Sequence, residues 1–328
     1  MRILAICFLF LIFTAPQALA LEERSLDHDG HKRLFYVHVP EQVKGQADIP
    51  TVLVFHGGGG SAEGMADMVR MEKTADKYGF MVVYPEGIGS KLGKFHTWNA
   101  GKCCAKAAEE NIDDVGFVSK MIDQLVTNDN ADPKRVYATG HSNGGMISYR
   151  LACELSDKIA AIAPNGGQDQ KRETCPLTRP VPVLHIHGKA DNCAPYEGGD
   201  QCGGCFETLF KSIGLPFKQE RRSCEPVEDM TAQWAQFNGC SAQTVQSFQK
   251  GDVACNSYTE CDGNAEVTLC AVENAGHSWP GQEGVIKPCE RRPNGRICSA
   301  WQENRGPVNT DISANEFIWQ FFAKHKIR

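Results

Sequence analysis

The fold of this 328-residue chain is indicated most clearly by the stretch Arg135-Val136-Tyr137-Ala138-Thr139-Gly140-His141-Ser142-Asn143-Gly144. Its first half is rich in β-branched and aromatic side chains, which predicts a strand. A G-x-S-x-G pattern follows, and helical spacing of apolar residues continues through Cys153. The two glycines permit the tight strand-to-helix turn that presents a serine hydroxyl at the carboxyl edge of a sheet. Ser142 is therefore predicted to be a nucleophile; the alternative is an ordinary tight turn.

Strands and helices alternate on both sides of this turn. Apolar runs predict buried strands at residues 34–39, 51–55, 80–84, 159–164, 181–187 and 267–272. Apolar residues at helical spacing predict helices at residues 64–78, 113–126 and 313–324. Because such alternation forms parallel sheets, we predict an α/β fold with a mostly parallel central sheet and helices on both faces.

The amino terminus has the pattern of a secretory signal peptide at residues 1–20. Arg2 is followed by an apolar run and then by Ala18-Leu19-Ala20, a small-residue cleavage pattern. The run is shorter than the roughly 20 apolar residues that span a bilayer, and no later segment qualifies. We therefore predict a secreted protein with one domain at residues 21–328; an uncleaved membrane anchor is the alternative. The net charge of −6, without blocks of like charge, predicts no binding to nucleic acid or membranes.

Cysteine usage agrees with export. Of fifteen cysteines, Cys7 would leave with the signal peptide, and the remaining even number predicts a disulfide framework. Residues 192–262 hold seven of them and are interpreted as a disulfide-pinned insertion with a helix at 229–237. The adjacent Cys103 and Cys104 are expected to bond to different partners. Cys202-Gly-Gly-Cys205 also fits redox or zinc spacing, but without a second ligand pair we favour disulfides.

An acid and a base are predicted to complete a catalytic triad with Ser142. The strand–serine–helix turn is typical of α/β-hydrolases, in which the order along the chain is serine, acid, histidine. Asp191 lies just past the predicted strand at 181–187, on a loop where the acid belongs. Three other carboxylates compete with it for this role: Asp169, Glu197 and Asp200.

The base is predicted to be His277, which directly follows the last predicted strand. It is the only histidine between His187 and His325. His185 and His187 lie on one face of a buried strand and are interpreted as hydrogen-bonded core residues rather than catalysts. Asp113-Asp114 are interpreted as residues that cap or salt-bridge the helix beginning there.

Glycines after the strand at 51–55 predict an oxyanion hole. In His56-Gly57-Gly58-Gly59-Gly60, backbone amides can approach a ligand without a Cβ in the way. We predict that the amides of Gly58 and Asn143 bind the oxyanion, although any glycine of 57–60 could be the donor, and a flexible loop is the alternative. No cluster has metal-ligand spacing, so metal catalysis is not expected.

Taken together, these motifs resemble the secreted esterase family that groups polyhydroxybutyrate depolymerase-like proteins with feruloyl and acetylxylan esterases. The resemblance rests on segments in family order over most of residues 33–325. They are His56-Gly57-Gly58-Gly59, Trp98-Asn99 with Cys103-Cys104, Asp113 to Phe117, Gly140 to Met146, His187-Gly188 with Asp191, Pro195 to Gly199, and Gly276 to Gly281. It implies an α/β-hydrolase with a Ser142–Asp191–His277 triad, an ester substrate and no cofactor.

The substrate is left open because the cysteine-rich stretch at 200–262 is longer than the usual segment in this family. Feruloyl or acyl-polysaccharide esters and hydroxyalkanoate esters are the two candidate classes. Trp98 and Trp279, with Trp301, are candidates to bind an aromatic acyl group; anchoring the core or a loop is their alternative role. A disulfide-rich binding protein on an inactive hydrolase scaffold is the alternative function.

Overall fold

A computed structural model describes most of the chain from residue 21 onward. The described residues are 21–89, 95–170, 175–203, 222–282 and 291–328, together with Cys205, Glu207, Lys211, Gly214 and Cys289. The predicted signal peptide at residues 1–20 lies outside them. None of the described helices is both long enough and apolar enough to cross a bilayer.

The strands of the described chain form one large sheet and one small one. In chain order they are β1 (Glu22–His28), β2 (His31–His38), β3 (Ile49–Phe55), β4 (Met81–Pro85), β5 (Ala131–His141), β6 (Ala161–Asn165), β7 (Val183–Gly188), β8 (Gly199–Cys202), β9 (Arg222–Cys224), β10 (Thr244–Lys250), β11 (Val253–Tyr258) and β12 (Val267–Val272). The ten-stranded sheet has the order β1-β2-β4-β3-β5-β6-β7-β12-β11-β10, and β8 pairs with β9.

The centre of the large sheet is parallel and its edges are antiparallel. Strands β4, β3, β5, β6, β7 and β12 run parallel. The β1–β2 hairpin joins one side and the β10–β11 hairpin the other. The predicted α/β class with a mostly parallel central sheet is therefore confirmed.

Helices cover both faces of the sheet. Their bounds are α1 (Ala62–Val69), α2 (Met71–Tyr78), α3 (Ala105–Glu109), α4 (Asp114–Asp129), α5 (Asn143–Glu154), α6 (Val227–Phe237), α7 (Arg296–Arg305) and α8 (Ala314–Phe322). Along β3, Leu53 and Phe55 join a core with α4, α5 and α6, while Val52 and Val54 join a second core with α1, α2 and α8. A strand buried on both faces is continuously apolar, which is why the sequence identified it.

Helix boundaries differ from prediction in one place and agree in another. The single helix predicted at 64–78 is two helices, because Arg70 adopts a left-handed conformation with φ of 51° between them. At the start of α4, the side chain of Asp113 accepts a hydrogen bond from the amide of Gly116. The fully buried Asp114 pairs with Arg33 at 2.6 Å. The interpretation of Asp113-Asp114 as capping and salt-bridging residues is confirmed.

The cysteine-rich region contains more regular structure than the sequence indicated. Besides the helix α6, it contributes β8, β9 and the β10–β11 hairpin at the sheet edge. No strand was predicted for residues 244–258, because β10 exposes nearly all of its polar side chains and β11 buries only alternate residues. Similarly, the polar edge strand β1 carries no apolar run.

The fourteen cysteines after residue 20 are all paired, in agreement with the predicted disulfide framework. The pairs are Cys103–Cys104, Cys153–Cys175, Cys193–Cys205, Cys202–Cys224, Cys240–Cys261, Cys255–Cys270 and Cys289–Cys298. The expectation that Cys103 and Cys104 have different partners is wrong. Their Cα atoms lie 3.0 Å apart across a cis peptide bond, and their sulfur atoms are bonded to each other. Cys202 and Cys205 belong to two separate disulfides.

Candidate active site

Ser142 occupies a sharp turn between β5 and α5. It has φ of 57° and ψ of −121°, a backbone conformation that residues other than glycine rarely adopt. Holding a residue in such a region costs of order 1–3 kcal/mol and is found most often at functional sites. The helix that follows directs its first backbone amides toward the serine.

The two glycines of the motif are required by the packing of this turn. A Cβ atom at Gly144 would lie 2.1 Å from the carbonyl oxygen of Phe55 on β3. A Cβ at Gly140 would lie 2.6 Å from the same oxygen and from the backbone of Gly144. Neither position can accept a side chain unless the backbone moves, so the G-x-S-x-G pattern reflects close contact of β3, β5 and α5.

Asp191 and His277 follow two neighbouring parallel strands, β7 and β12. Oδ2 of Asp191 lies 2.7 Å from Nδ1 of His277. Oδ1 accepts hydrogen bonds from the amides of Cys193 and Ala194, each 2.8 Å long. Burial alone would raise the pKa of Asp191, but the attraction of His277 and these hydrogen bonds outweigh it and hold the pKa below its usual value. The carboxylate is thus charged and oriented toward the imidazole.

The rival carboxylates are placed differently. Asp169 is buried and accepts a hydrogen bond from the indole Nε1 of Trp234 at 3.0 Å. Glu197 and Asp200 are exposed. Of the four candidates, Asp191 is the one that the structure joins to His277.

The turn after β6 lies between Ser142 and the Asp191–His277 pair. The amide of Ser142 donates to the carbonyl oxygen of Asn165, 2.9 Å away. At the next residue, a Cβ on Gly166 would lie 3.4 Å from Nδ1 of His277 and 3.5 Å from Oδ2 of Asp191. The Ser142 hydroxyl forms no hydrogen bond with His277 here. Such bonds often tighten only when substrate is bound.

The G-x-S-x-G motif contains His141, but the motif does not indicate a role for this residue. Its buried ring contacts the ring of His277, and its Nδ1 lies 2.8 Å from the Oδ1 acceptor of Asn165. Burial, reinforced by the nearby His277, lowers the pKa of His141 to about 3. The neutral ring therefore carries its proton on Nδ1. Only the contact across strands reveals this residue, so no local sequence pattern would have found it.

The glycine loop after β3 lies against the turn that holds Ser142. A Cβ on Gly57 would lie 3.4 Å from Cβ of Ser142, and one on Gly58 would lie 3.6 Å from Cβ of Asn143. The side chain of Asn143 is occupied, since Oδ1 accepts from the amide of Trp98 and Nδ2 donates to its carbonyl oxygen. Any contribution of Asn143 to an oxyanion site would come from its backbone amide.

His56 is a second histidine whose role the sequence did not indicate. Its Nε2 accepts from the amide of Gly87 at 3.0 Å, and its Nδ1 donates to the carbonyl oxygen of Gly57 at 2.8 Å. Burial lowers its pKa to about 4, so the ring is neutral and fits this donor–acceptor pattern. His56 thus fixes the start of the glycine loop.

The tryptophans proposed for an aromatic acyl group are buried. Trp98 is fully buried and its Nε1 donates to the carbonyl oxygen of His56 at 3.0 Å. Trp279 is 2% exposed and its Nε1 donates to Oδ1 of Asn315 at 2.8 Å. Trp301, on α7, is partly exposed. These contacts favour the alternative, anchoring role for Trp98 and Trp279, because neither ring offers a face to a ligand.

Within the described part of the chain, no three His, Cys, Asp or Glu side chains form a cluster that could hold a metal ion.

Comparison with known proteins shows similarity to esterases. Residues 36–169 match the family described as esterase PHB depolymerase. Feruloyl esterase B of Piromyces equi is 29% identical over 250 residues, which is 75% of this chain and 42% of that protein. The putative esterase NocK of Nocardia uniformis subsp. tsuyamanensis is 29% identical over 299 residues, 84% of this chain and 83% of that protein. The chain thus spans less than half of the first relative and most of the second.

A solved structure shares the fold. The acetyl xylan esterase from Aspergillus awamori superposes with a TM-score of 0.57, covering 84% of this chain and 98% of that chain. At 15% sequence identity, this similarity supports the α/β-hydrolase architecture alone.

Proposed function

We propose that the chain hydrolyses carboxylic esters with Ser142 as the nucleophile, because residues 36–169 match the family described as esterase PHB depolymerase and a feruloyl esterase is 29% identical over 250 residues. The observation that carries the proposal is the 2.7 Å contact of Asp191 with His277 beside the positive-φ turn of Ser142. A serine presented on a constrained turn, next to a histidine oriented by a buried carboxylate, is the arrangement of serine hydrolases.

In the acylation step, Nε2 of His277 accepts the proton of the Ser142 hydroxyl while Oγ attacks the ester carbonyl carbon. Asp191 holds the imidazole with its proton on Nδ1 and stabilises the cation that forms. The tetrahedral intermediate collapses as His277 gives the proton to the departing alcohol. The products of this step are the free alcohol and an ester between the acyl group and Ser142.

In the deacylation step, water replaces the alcohol. His277 accepts a proton from the water as its oxygen attacks the acyl carbon, and then returns that proton to Oγ of Ser142. The carboxylic acid leaves and the enzyme is restored. In both steps the negative oxygen is bound by the backbone amides of Asn143 and Gly58, a kind of contact worth roughly 10²–10³ in rate.

The proposed substrates are feruloyl or acyl-polysaccharide esters, or hydroxyalkanoate esters of the polyhydroxybutyrate type. The names of the relatives include both kinds of ester. We further propose that the protein is secreted, because a framework of seven disulfides forms and persists in oxidising compartments.

A hydrolysis assay tests the proposal. The wild-type protein, Ser142→Ala and Ser156→Ala are compared on 4-nitrophenyl acetate, methyl ferulate and hydroxybutyrate oligomers. Ser156 is a matched control, since it is buried and its hydroxyl bonds to Thr178 away from the triad. We expect Ser142→Ala to lose about 10⁴-fold or more in kcat and Ser156→Ala to stay active. Activity retained in Ser142→Ala would refute the nucleophile assignment. A wild-type protein inactive on all three esters would favour a binding role.

A further inference from the structure

A chain of buried polar side chains connects the helix of the nucleophile with the turn of the acid. Tyr149 on α5 and His185 and His187 on β7 are all fully buried. The hydroxyl of Tyr149 lies 2.9 Å from Nδ1 of His185, and Nε2 of His185 lies 2.9 Å from Nδ1 of His187. Nε2 of His187 lies 2.7 Å from the carbonyl oxygen of Ala194. The prediction that both histidines are hydrogen-bonded core residues is confirmed.

One arrangement of protons satisfies every contact in this chain. Burial lowers the pKa of both histidines, so each ring is neutral and carries one N–H. The carbonyl oxygen of Ala194 can only accept, and therefore Nε2 of His187 donates. Nδ1 of His187 then accepts from Nε2 of His185, whose Nδ1 accepts from the hydroxyl of Tyr149. The hydrogen bonds thus all point from α5 toward Ala194.

The chain of hydrogen bonds ends at Ala194, which also binds the catalytic carboxylate of Asp191. The N–H of Ala194 donates to Oδ1 of Asp191 at 2.8 Å, and the carbonyl oxygen of the same residue accepts from His187. Nε2 of His187 also lies 3.6 Å from Oδ2 of Asp191, the oxygen that contacts His277. A neutral N–H at this distance favours the carboxylate without competing as a full charge.

We infer that Tyr149, His185 and His187 are positioning residues that fix the 191–194 turn relative to α5, and thereby keep Asp191 aligned with His277. The inference rests on the proposed function, since it concerns the geometry of the same triad. It explains why two histidines and a tyrosine hydroxyl lie in a core where apolar side chains would pack without needing partners. The three residues touch no reacting atom and act only through Asp191.

Two tyrosine variants separate positioning from a general loss of stability. Tyr149→Phe removes the first hydroxyl of the chain and keeps the ring. Tyr137→Phe is the matched control, because that buried hydroxyl donates to the carbonyl oxygen of His325 at 2.7 Å, in a different core. We expect similar melting temperatures for both. We expect kcat on 4-nitrophenyl acetate, per active site titrated with a fluorophosphonate, to fall up to about tenfold in Tyr149→Phe alone.

Two variants of His187, at the other end of the hydrogen-bond chain, test the direction of its hydrogen bonds. His187→Leu removes the donor to Ala194, and we expect kcat to fall about 10²-fold, the size of effect that a misplaced catalytic group produces. His187→Gln places a donor where Nε2 lies, and we expect it to recover most of that loss.

The outcomes either support or overturn the inference. Unchanged kcat per titrated site in Tyr149→Phe and His187→Leu would overturn it, and so would equal losses in Tyr149→Phe and Tyr137→Phe. If His187→Leu does not fold, the tyrosine pair decides alone. Failure of the proposed function is distinguishable, because the wild-type protein would then neither hydrolyse the ester nor react with the fluorophosphonate.

Discussion

The imidazole of His141 lies against the imidazole of His277, with the ring centroids 4.4 Å apart. His141 ends β5 and directly precedes Ser142, whereas His277 follows β12, three strands further along the sheet. The contact therefore bridges the carboxyl ends of β6 and β7. Asp191 follows β7 and contacts His277 at the same edge of the sheet. Contact between the two rings helps to fix His277 beside the turn of Ser142.

The identity of the acid can be tested with two aspartates. Asp191→Asn keeps the oxygen that accepts from Cys193 and Ala194 but presents an amide to Nδ1 of His277, which favours the wrong tautomer. We expect kcat to fall about 10⁴-fold, as this substitution does in serine-protease triads. Asp169→Asn is the control, because its contact is with Trp234. Kinetics on 4-nitrophenyl acetate measure both; a loss confined to Asp169→Asn would show that the acid is misassigned.

The packing of the nucleophile turn predicts different effects of two added methyl groups. Gly144→Ala would place Cβ 2.1 Å from the Phe55 oxygen, so we expect the free energy of unfolding to fall by about 3 kcal/mol or more. Gly58→Ala would place Cβ 3.6 Å from Cβ of Asn143, an ordinary contact, and we expect little change in stability. Urea unfolding monitored by tryptophan fluorescence measures both variants. Equal stability of the two would contradict the close approach of α5 to β3.

Buried neutral histidines predict that stability falls in mild acid. Burial lowers the pKa of His56 to about 4 and that of His141 to about 3, from 6.5. Below pH 6.5 the unfolded chain binds protons that the folded protein does not. The free energy of unfolding therefore decreases as the pH falls toward those values, by about 1.4 kcal/mol per pH unit for each histidine.

The variant His56→Gln isolates one of these protons. Urea unfolding of this variant and the wild type is compared at several pH values between 6 and 5. We expect the variant to have a pH slope smaller by about 1.4 kcal/mol per unit, because glutamine does not titrate. An identical slope would mean that His56 is protonated to the same extent in both states.

Two disulfides should differ in their contribution to stability. Cys255–Cys270 links β11 to β12 and closes a loop with a sequence separation of 15. Replacing both cysteines by alanine is expected to cost about 3 kcal/mol through the entropy of the unfolded chain. The same replacement of Cys103 and Cys104 removes no chain loop and should cost less. Thermal melting of the two double variants tests this ranking, and the reverse order would contradict it.

Much of the fold was predictable because its central strands are buried on both faces. Runs such as Val52 to Phe55 have no polar side chain to obscure them, and the predicted strand at 267–272 has the observed bounds. Edge strands were missed for the opposite reason. In β10, contact with solvent permits Gln246, Ser247 and Gln249, so the segment resembles a loop in sequence.

The candidate site was predictable where a local motif or chain order constrains it. The glycines around Ser142 mark a turn that no larger residue can form, and a single histidine remained in the interval where the base belongs. The positions of His185 and His187 on one face of a strand predicted hydrogen-bonded core residues, but the roles of His56, His141 and Tyr149 could not be predicted. Each depends on hydrogen bonds between segments far apart in sequence, which leave no periodicity or spacing.

Covalent labelling with a fluorophosphonate, followed by digestion and mass spectrometry, identifies the reactive serine. A serine activated by His277 and Asp191 attacks the phosphorus, and the adduct marks the nucleophile. The account predicts one adduct, on the peptide containing Ser142, absent in Ser142→Ala and formed much more slowly in His277→Ala. An adduct on another serine, or labelling of Ser142 at the same rate without His277, would contradict it.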